Sequence, residues 1–184
     1  MKHQFPSQQS GITLIIGMFM LILLTLVSIT GAQMTTLEEK MASNSRDKHT
    51  AFEAAEAGLL GGEEYIEDVV ISLAAFDTTG TDGLYDNSMD NIWEEVDWHG
   101  ADSGNNNEVI AYSDINSTHN VKTSPEFVVQ HYASIEADAD TLNLDNYGQG
   151  TGSGDVEMFR VTARGTGGSD NAAVILQSTY GKRL

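Results

Sequence analysis

Residues 12–31 read ITLIIGMFMLILLTLVSITG, an apolar run relieved only by hydroxyl side chains and glycine. At about 1.5 Å rise per residue, a helix of this length spans about 30 Å, the thickness of a bilayer's hydrocarbon core. Twelve residues of the run are Leu, Ile, Phe or Val. On an insertion scale these twelve contribute about −4 to −7 kcal/mol. The run therefore predicts a transmembrane helix.

The charges that flank this run predict its orientation. No charged side chain occurs between Lys2 and Glu38, and Glu39 follows directly. A basic flank stays on the cytoplasmic side of a membrane. We therefore expect a single-pass membrane protein with a cytoplasmic N-terminus and an exported remainder.

Two other kinds of N-terminal signal also contain an apolar run and are alternatives to consider. A secretory signal has an apolar region of about 7–15 residues followed by a small-residue cleavage site. The present run is longer, and residues 28–32 (SITGA) match such a site poorly. An uncleaved signal anchor fits the hydropathy equally well and stays open as an alternative.

Composition narrows the class of protein further. The chain has 184 residues, enough for one domain and an anchor. Its net charge of −18 excludes a general nucleic-acid binder, which needs clustered Lys and Arg. Residues 49–121 carry sixteen Asp and Glu and no Lys or Arg, which favours a solvated acidic surface over a specific cation site. There is no cysteine, so disulfides and thiolate metal sites are excluded.

Helical periodicity continues beyond the apolar run. A stripe at helical spacing predicts one nearly continuous helix from Ile12 to about Gly58. Gly61 and Gly62 then predict a kink or a stop, with further amphipathic turns as far as Phe76. We interpret the stripe as packing against the protein's own domain, with packing against neighbouring subunits as an overlapping alternative. The stripe consists of Met34, Leu37, Met41, Phe52, Ala55 and Leu59.

Strand patterns appear late in the chain. Alternating β-rich stretches occupy residues 109–115, 127–135, 156–163 and 173–180. The last two are joined by GTGGSDN at residues 165–171, the composition of a hairpin loop. Strands that follow one long helix predict an α+β fold, with an antiparallel sheet packed on the second half of the helix.

We accordingly divide the chain into five segments. They are a leader (1–11), a transmembrane half-helix (12–31), an extracytoplasmic amphipathic helix (32–76), an acidic Asn/Asp/Gly-rich loop region (77–108) and a sheet domain (109–184).

The loop region contains two tryptophans, Trp93 and Trp98. We interpret them as anchors that hold surface turns to the body of the domain. A partner surface is the alternative, because aromatic residues in polar loops are favoured at interfaces.

The sequence disfavours a calcium site at one acidic group. It consists of Asp138, Asp140, Asn143 and Asp145. The EF-hand pattern fails, because Leu142 stands at the third ligand position and the required Gly and final Glu are absent.

The sequence predicts no enzyme and no cofactor. The histidines are scattered and no metal spacing such as HExxH occurs, and neither GxSxG nor a phosphate loop is present. The histidines are His3, His49, His99, His119 and His131.

The junction before the apolar run resembles the class III signal of type IV prepilins. A short polar leader ends in Gly11, and the apolar run starts at once at Ile12. The resemblance implies that a prepilin peptidase cuts between Gly11 and Ile12 on the cytoplasmic side and that Ile12 is then N-methylated. Glycine leaves the backbone open to a protease.

Two longer motifs resemble PilX-type minor pilins. Residues 36–48 (TLEEKMASNSRDK) and 51–57 (AFEAAEA) are similar to that family's N-terminal signature, and residues 159–165 (FRVTARG) and 174–180 (VILQSTY) to its terminal hairpin. The N-terminal motif residues are Leu37, Glu38, Glu39, Met41, Asn44, Arg46, Asp47, Ala51, Phe52, Ala54, Ala55 and Glu56. The C-terminal motif residues are Arg160, Arg164, Gly165, Gln177, Ser178 and Tyr180.

This resemblance implies a pilin-like fold and a minor pilin that primes pilus assembly and supports adhesion, aggregation or motility. The implied partners are other minor pilins, the major pilin, a tip adhesin, the inner-membrane assembly platform and prepilin peptidase. The protein would lie in the inner membrane before assembly and in the pilus afterwards. The alternatives are a minor pseudopilin of type II secretion and a signal-anchored periplasmic binding or sensor domain.

One position departs from the common pilin pattern. Most pilins carry Glu at the fifth residue after cleavage, where it meets the cationic N-terminus of a neighbouring subunit, and here that position is Ile16. A chain with Ile16 and a free amine at Ile12 keeps the cation of this pair and lacks the carboxylate. The Glu of a subunit that is added later can therefore pair with this chain's amine. This chain has no Glu with which to pair with the amine of a subunit that was added earlier. We therefore predict a place at or near the filament tip.

Overall fold

The main helix is much longer than a typical globular helix. The computed structural model describes residues 11–98, 109–113, 121–135, 155–169 and 171–184. Helix α1 runs from Ile12 to Asp68 over 57 residues. The chain forms two units, Met1–Asn44 and Ser45–Leu184, so α1 begins in the first and ends in the second.

Helix α1 passes through Gly61 and Gly62 without a break, so the predicted kink or stop there is wrong. A Cβ on Gly61 would lie 2.5 Å from the Tyr112 ring, and one on Gly62 would lie 2.3 Å from Cγ1 of Val161. These glycines bring the helix close to the sheet. Contacts with the sheet outweigh the intrinsic cost of about 1 kcal/mol for each helical glycine.

The helix ends earlier than the predicted boundary at residue 76. After Asp68, the helical pattern is followed only by a 3₁₀ turn at Leu73–Ala75. Of the apolar side chains that suggested more helix, Val70 is buried, whereas Val69 is exposed. Apolar spacing over so few residues fits a turn as well as a helix.

In the described residues, five strands form one sheet. Their bounds are β1 Leu84–Tyr85, β2 Ile110–Ala111, β3 Glu126–Ile135, β4 Val156–Thr166 and β5 Ala173–Arg183. The order is β1-β3-β4-β5, with β2 also paired to β3. The three long strands confirm the predicted ones. Of the strand expected at 109–115, the described residues 109–113 form only the two-residue β2, and residues 114 and 115 lie outside the described residues.

The sheet is mixed rather than purely antiparallel. Strand β3 pairs antiparallel with β2 and β4, and β4 pairs antiparallel with β5, whereas β1 lies parallel to β3. Strand β1 belongs to the region predicted as loop, where helix α2 also occurs at Ile92–Glu95. A two-residue strand is too short to show alternation in the sequence, which is why it was missed.

The sheet buries side chains on both of its faces. We call the side that contacts α1 the helix face and the opposite side the outer face. On the helix face, one cluster joins the end of the helix to β3 and β4. Its buried members are Ile66, Val70, Leu84, Phe127, Val129, Phe159, Val161 and Ala163.

The outer face of β3 is covered by the segment around α2. Trp98 is only 8% exposed, and its indole Nε1 donates a hydrogen bond to the carbonyl of Trp93 at 3.0 Å. Trp98 packs in a cluster with Tyr85 and Val128. The interpretation of Trp93 and Trp98 as anchors of the loop region is therefore confirmed.

A buried glutamine fixes the same segment to the sheet. The side-chain amide of Gln130 on β3 donates to the carbonyls of Asp86 at 3.0 Å and Met89 at 2.7 Å. Backbone groups in a loop that crosses a buried face need such partners. The loop region is therefore held by hydrogen bonds as well as by apolar contact.

Candidate functional site

The apolar N-terminal half of α1 is exposed along its length. Within residues 11–44 every side chain is exposed, and Ile16 retains 53% of its surface. In the described part of the chain, one helix is long and apolar enough to cross a membrane by length and composition. An apolar face this large is stable only in lipid or against other proteins.

The helix begins at the predicted cleavage position. Gly11 precedes the first helical residue, Ile12, and a Cβ on Gly11 would meet no atom within 4 Å. Packing among the described residues therefore does not require glycine there. A requirement imposed by a processing enzyme is consistent with this, and the cleavage itself stays a prediction.

The predicted N-terminal motif divides into exposed and buried residues. The exposed members are Leu37, Glu38, Glu39, Met41, Asn44, Arg46, Phe52 and Glu56, and the buried members are Ala51, Ala54 and Ala55. Four residues of the apolar stripe are exposed, so the interpretation that the stripe packs on the protein's own domain is wrong at Met34, Leu37, Met41 and Phe52. It holds at Ala55, which is buried, and at Leu59, which packs against the core. The alanines, one helical turn apart, form the contact instead.

The alanines are buried because the sheet approaches the helix backbone closely. A Cβ on Gly165 of β4 would lie 2.2 Å from the backbone nitrogen of Ala55 and 2.4 Å from the carbonyl oxygen of Ala51. A Cβ on Gly58 would lie 3.1 Å from Cβ of Ala163. Small side chains on both elements are therefore a steric requirement, which links the two predicted motifs in space.

Asp47 of the N-terminal motif holds the loop between β4 and β5. One carboxylate oxygen accepts the backbone N–H of Gly168 at 2.6 Å, and the other accepts the hydroxyl of Ser169. The hydrogen bond from Ser169 and those from the loop backbone lower the pKa of Asp47 below its ordinary value of 3.8. The loop is thus attached to the helix 121 residues away in sequence.

Two residues of the C-terminal motif contact the last turns of α1. The hydroxyl of Ser178 donates to Glu63 at 2.9 Å, and that of Tyr180 donates to Glu67 at 3.1 Å. The bond to Glu67 also raises the pKa of Tyr180. Residues two apart on a strand share one face, and residues four apart on a helix share another, so both pairs form between the same two surfaces.

The other polar residues of this motif lie on the outer face. Gln177 donates to the hydroxyl of Thr162 at 2.9 Å, and the Arg160 guanidinium lies 4.3 Å from the centre of the Tyr132 ring. The largely buried guanidinium of Arg164 lies 3.6 Å from the carboxylate of Glu126. These contacts connect β4 to its neighbours β3 and β5. They give the motif a structural role.

Lys182, which the sequence analysis does not predict as a functional residue, caps the C-terminal end of α1. Its ammonium donates to the carbonyl oxygens of Ile66, Glu67 and Val70 at 2.7–2.8 Å. The last carbonyls of a helix lack partners within the helix and carry partial negative charge, so a cation there is stabilising. The available signal was the alternation Ser178, Tyr180, Lys182 on one face of β5.

No metal site is apparent in the described segments. Within them, no group of three or more His, Asp or Glu side chains is arranged to hold a metal ion. The acidic group at residues 138–145, which the sequence disfavours as a calcium site, lies outside the described residues, as do His3, His99 and His119. Of the remaining histidines, His49 contacts Glu53 and His131 contacts Glu157.

A long N-terminal helix, apolar and exposed in its first part and packed on a β-sheet in its last part, is a pilin-like α+β architecture. Family comparison agrees: the PilX N-terminal family matches residues 10–60, and the family described as type IV pilus assembly protein PilX, C-terminal, matches residues 41–182. The chain belongs to the PilX family of type IV pilus assembly proteins. Neither a curated protein nor a solved structure matches it.

Proposed function

We propose that this protein is a minor pilin that primes assembly of a type IV pilus and lies at or near the tip of the filament. The main support is the exposed apolar helix that begins at Ile12 in a chain of the PilX family. Such a helix is compatible with two environments in turn, lipid before assembly and the helices of neighbouring subunits afterwards.

Processing by prepilin peptidase is part of this proposal. Cleavage after Gly11 leaves the whole helix on the mature protein and creates a new amine at Ile12. N-methylation then modifies that amine. The mature subunit would lie in the inner membrane, with its second unit exported, until it enters the pilus.

The tip location follows from Ile16. A carboxylate near the centre of a bilayer costs about 2.5–3.5 kcal/mol, and pairing with the neighbour's N-terminal cation offsets that cost. Ile16 avoids the cost but gives up the pairing with an earlier subunit. A subunit with the cation alone fits the first place in the filament, and other minor pilins and the major pilin follow it.

Exposed motif residues support contact with neighbouring subunits. Leu37 and Met41 in the first unit and Phe52 in the second are large apolar side chains that the chain itself leaves exposed. In isolation they expose apolar surface to water, which is unfavourable by about 25 cal/mol for each Å². Helices of adjacent pilins would cover them.

The direct test is mass spectrometry of sheared, purified pili together with membranes. The proposal expects a peptide that starts at N-methylated Ile12, in pili as well as in membranes, and a loss of pilus number when the gene is deleted. An intact Met1 would support the signal-anchored alternative. Pili that lack the chain and are unchanged by its deletion would contradict the proposal.

The tip location has a separate test. The Ile16→Glu variant regains the carboxylate and is expected to appear along the filament shaft, whereas the native chain is confined to the ends. Immunogold labelling of an epitope-tagged chain measures both distributions, and Ile16→Leu is the matched control. Uniform labelling of the native chain would exclude the tip location without excluding a minor pilin.

A type II secretion pseudopilin shares the anchor and the fold. The match to a type IV pilus assembly family favours the pilus. Recovery of the chain in pili, with protein secretion unchanged in the deletion strain, would separate the two systems.

A further inference from the structure

The two edges of the sheet differ in how much open backbone they present. Beside β3 the sheet is completed by β1 and β2, which have two residues each. Very short edge strands are one way in which proteins prevent another chain from pairing with a sheet. At the opposite edge lies β5, with eleven residues, and in the described structure it pairs with β4 alone.

Strand β5 lacks the other features that protect edges. It pairs with β4 without a bulge from Ala173, opposite Thr166, to Arg183, opposite Val156. It contains no proline, and its only charged residues are the last two. One of these, Lys182, is directed at the end of α1. About half of the backbone N–H and C=O groups of an edge strand point away from its neighbour, so β5 presents a long row of backbone groups that no described residue pairs with.

The side chains along this edge form a pattern. On the outer face, every second residue is exposed and uncharged as far as Gly181, and Ile175 is 40% exposed. The apolar residues Val174, Ile175 and Leu176 lie at one end, and the exposed Arg183 lies at the other. Arg183 forms no ion pair with any residue that the structure describes.

We propose that β5 receives an added strand from another subunit of the pilus. The incoming segment would be extended, would place apolar side chains beside Val174–Leu176, and would place a carboxylate opposite Arg183. Backbone hydrogen bonds would supply affinity, and alternate side chains would supply specificity. The identity of the partner as a pilus subunit rests on the function proposed above.

A second copy of this chain fits the edge less well. If two β5 strands paired antiparallel about Ser178, Lys182 and Arg183 of each copy would lie beside the apolar end of the other. Within the paired strands Ala173–Arg183, which contain no Asp or Glu, that arrangement offers the cation of Arg183 no carboxylate. Charge complementarity therefore favours a different polypeptide with an acidic residue at one end of its strand.

Site-specific photo-crosslinking in whole cells tests the added strand. A photoreactive amino acid is placed singly at Ile175, Gln177 and Thr179 of the full chain, and crosslinked peptides are sequenced by mass spectrometry. In a pair of β-strands, residues that are two positions apart on one strand lie opposite residues that are two positions apart on the other. We expect the three positions to crosslink to one segment of one other pilus subunit, at sites two residues apart.

Several results would overturn the proposal. They are crosslinks scattered over several segments, the same two-residue steps on a second copy of this chain, and no crosslink from any of the three positions. Ser72 is an exposed position outside the sheet and serves as the control site. Detection of the chain in sheared pili is scored separately, so failure of the proposed function is distinguished from failure of this inference.

A blocking substitution provides a second test. Thr179→Lys puts a charge on the edge, a feature by which natural edge strands avoid pairing, and it should lower the crosslink yield from Gln177 at least threefold, about 0.7 kcal/mol. Ser72→Lys adds the same charge away from the edge and should leave the yield unchanged. A smaller loss with Thr179→Lys, or an equal loss with Ser72→Lys, would overturn the proposal.

Discussion

The first and last parts of helix α1 solve opposite packing problems. Residues 12–31 are mostly large and apolar, and all of them are exposed. The buried positions between Ala51 and Gly62 are only alanine and glycine. Large side chains suit a helix whose surroundings come from lipid or other subunits, and small ones suit a helix pressed onto its own sheet. Between Ala51 and Gly62, small size therefore marks the face of the helix that packs on the sheet, and nearer the helix end the larger Ile66 is also buried.

The largest effect is expected when one methyl group is added where the helix and the sheet are in contact. Gly165→Ala would place a Cβ against the backbone of Ala51 and Ala55, which cannot move aside as a side-chain tip can. We expect the domain to lose about 3 kcal/mol of unfolding free energy, the upper part of the usual range for overpacking. Denaturant unfolding of the full chain in detergent, followed by circular dichroism, measures the loss.

The matched control is Gly31→Ala, in the exposed half of the helix. A Cβ there would meet nothing within 4 Å. The unfolding free energy of the domain should change by less than about 0.5 kcal/mol. Equal effects of the two substitutions would contradict the distinction between the two parts of the helix.

A smaller effect is expected where the helix ends. Lys182→Met keeps most of the side-chain length but leaves the carbonyls of Ile66, Glu67 and Val70 without their cation. We expect a loss of about 1–2 kcal/mol in the same unfolding measurement. The neighbouring Arg183→Met removes an exposed charge that makes no such contact and should be nearly neutral. A neutral Lys182→Met would show that the helix end is satisfied in another way.

The smallest effect is a dependence of stability on pH. Hydrogen bonds from the loop at residues 79–81, the Thr81 hydroxyl first among them, lower the pKa of Asp77 to about 2, and the pKa of Asp47 is also lowered. The pKa of each carboxyl group is lower in the folded state than in the unfolded state. The contribution of each group to folding stability is therefore complete above the unfolded pKa of about 4 and is lost as pH falls toward the folded pKa.

The change with pH should be largest between about pH 4 and pH 2. The midpoint of denaturant unfolding should fall across this window in the native chain and fall less steeply in Asp77→Asn and Asp47→Asn. Equal slopes in all three proteins would mean that these hydrogen bonds do not couple to folding.

Sequence patterns predicted the elements that repeat over many residues. The long apolar run, the later helical stripe and the three long strands each extend over enough residues for a period to show. The positions of these elements are confirmed. In the sequence, the small residues of the alanine-rich motif are only part of a family resemblance. The distances at Gly165 explain why these residues must be small.

What the sequence did not predict depends on contacts between distant residues. Gly61 and Gly62 look like helix breakers by local propensity, and only the nearby Tyr112 and Val161 explain why the helix continues. The parallel strand β1 has two residues, which is below the length at which alternation is visible. The contact of Lys182 with the end of α1 joins residues more than 110 positions apart.

The attachment of the β4–β5 hairpin to α1 at two separated places has a mechanical consequence. Asp47 holds the loop of the hairpin, and Lys182 holds the end of its last strand, with about 30 Å of helix between Asp47 and Glu67. When the helix is pulled along its axis, these two attachments and the glycine contact between them share the force at the same time, so that they do not break one by one. The hairpin should therefore resist tension along the helix as a unit.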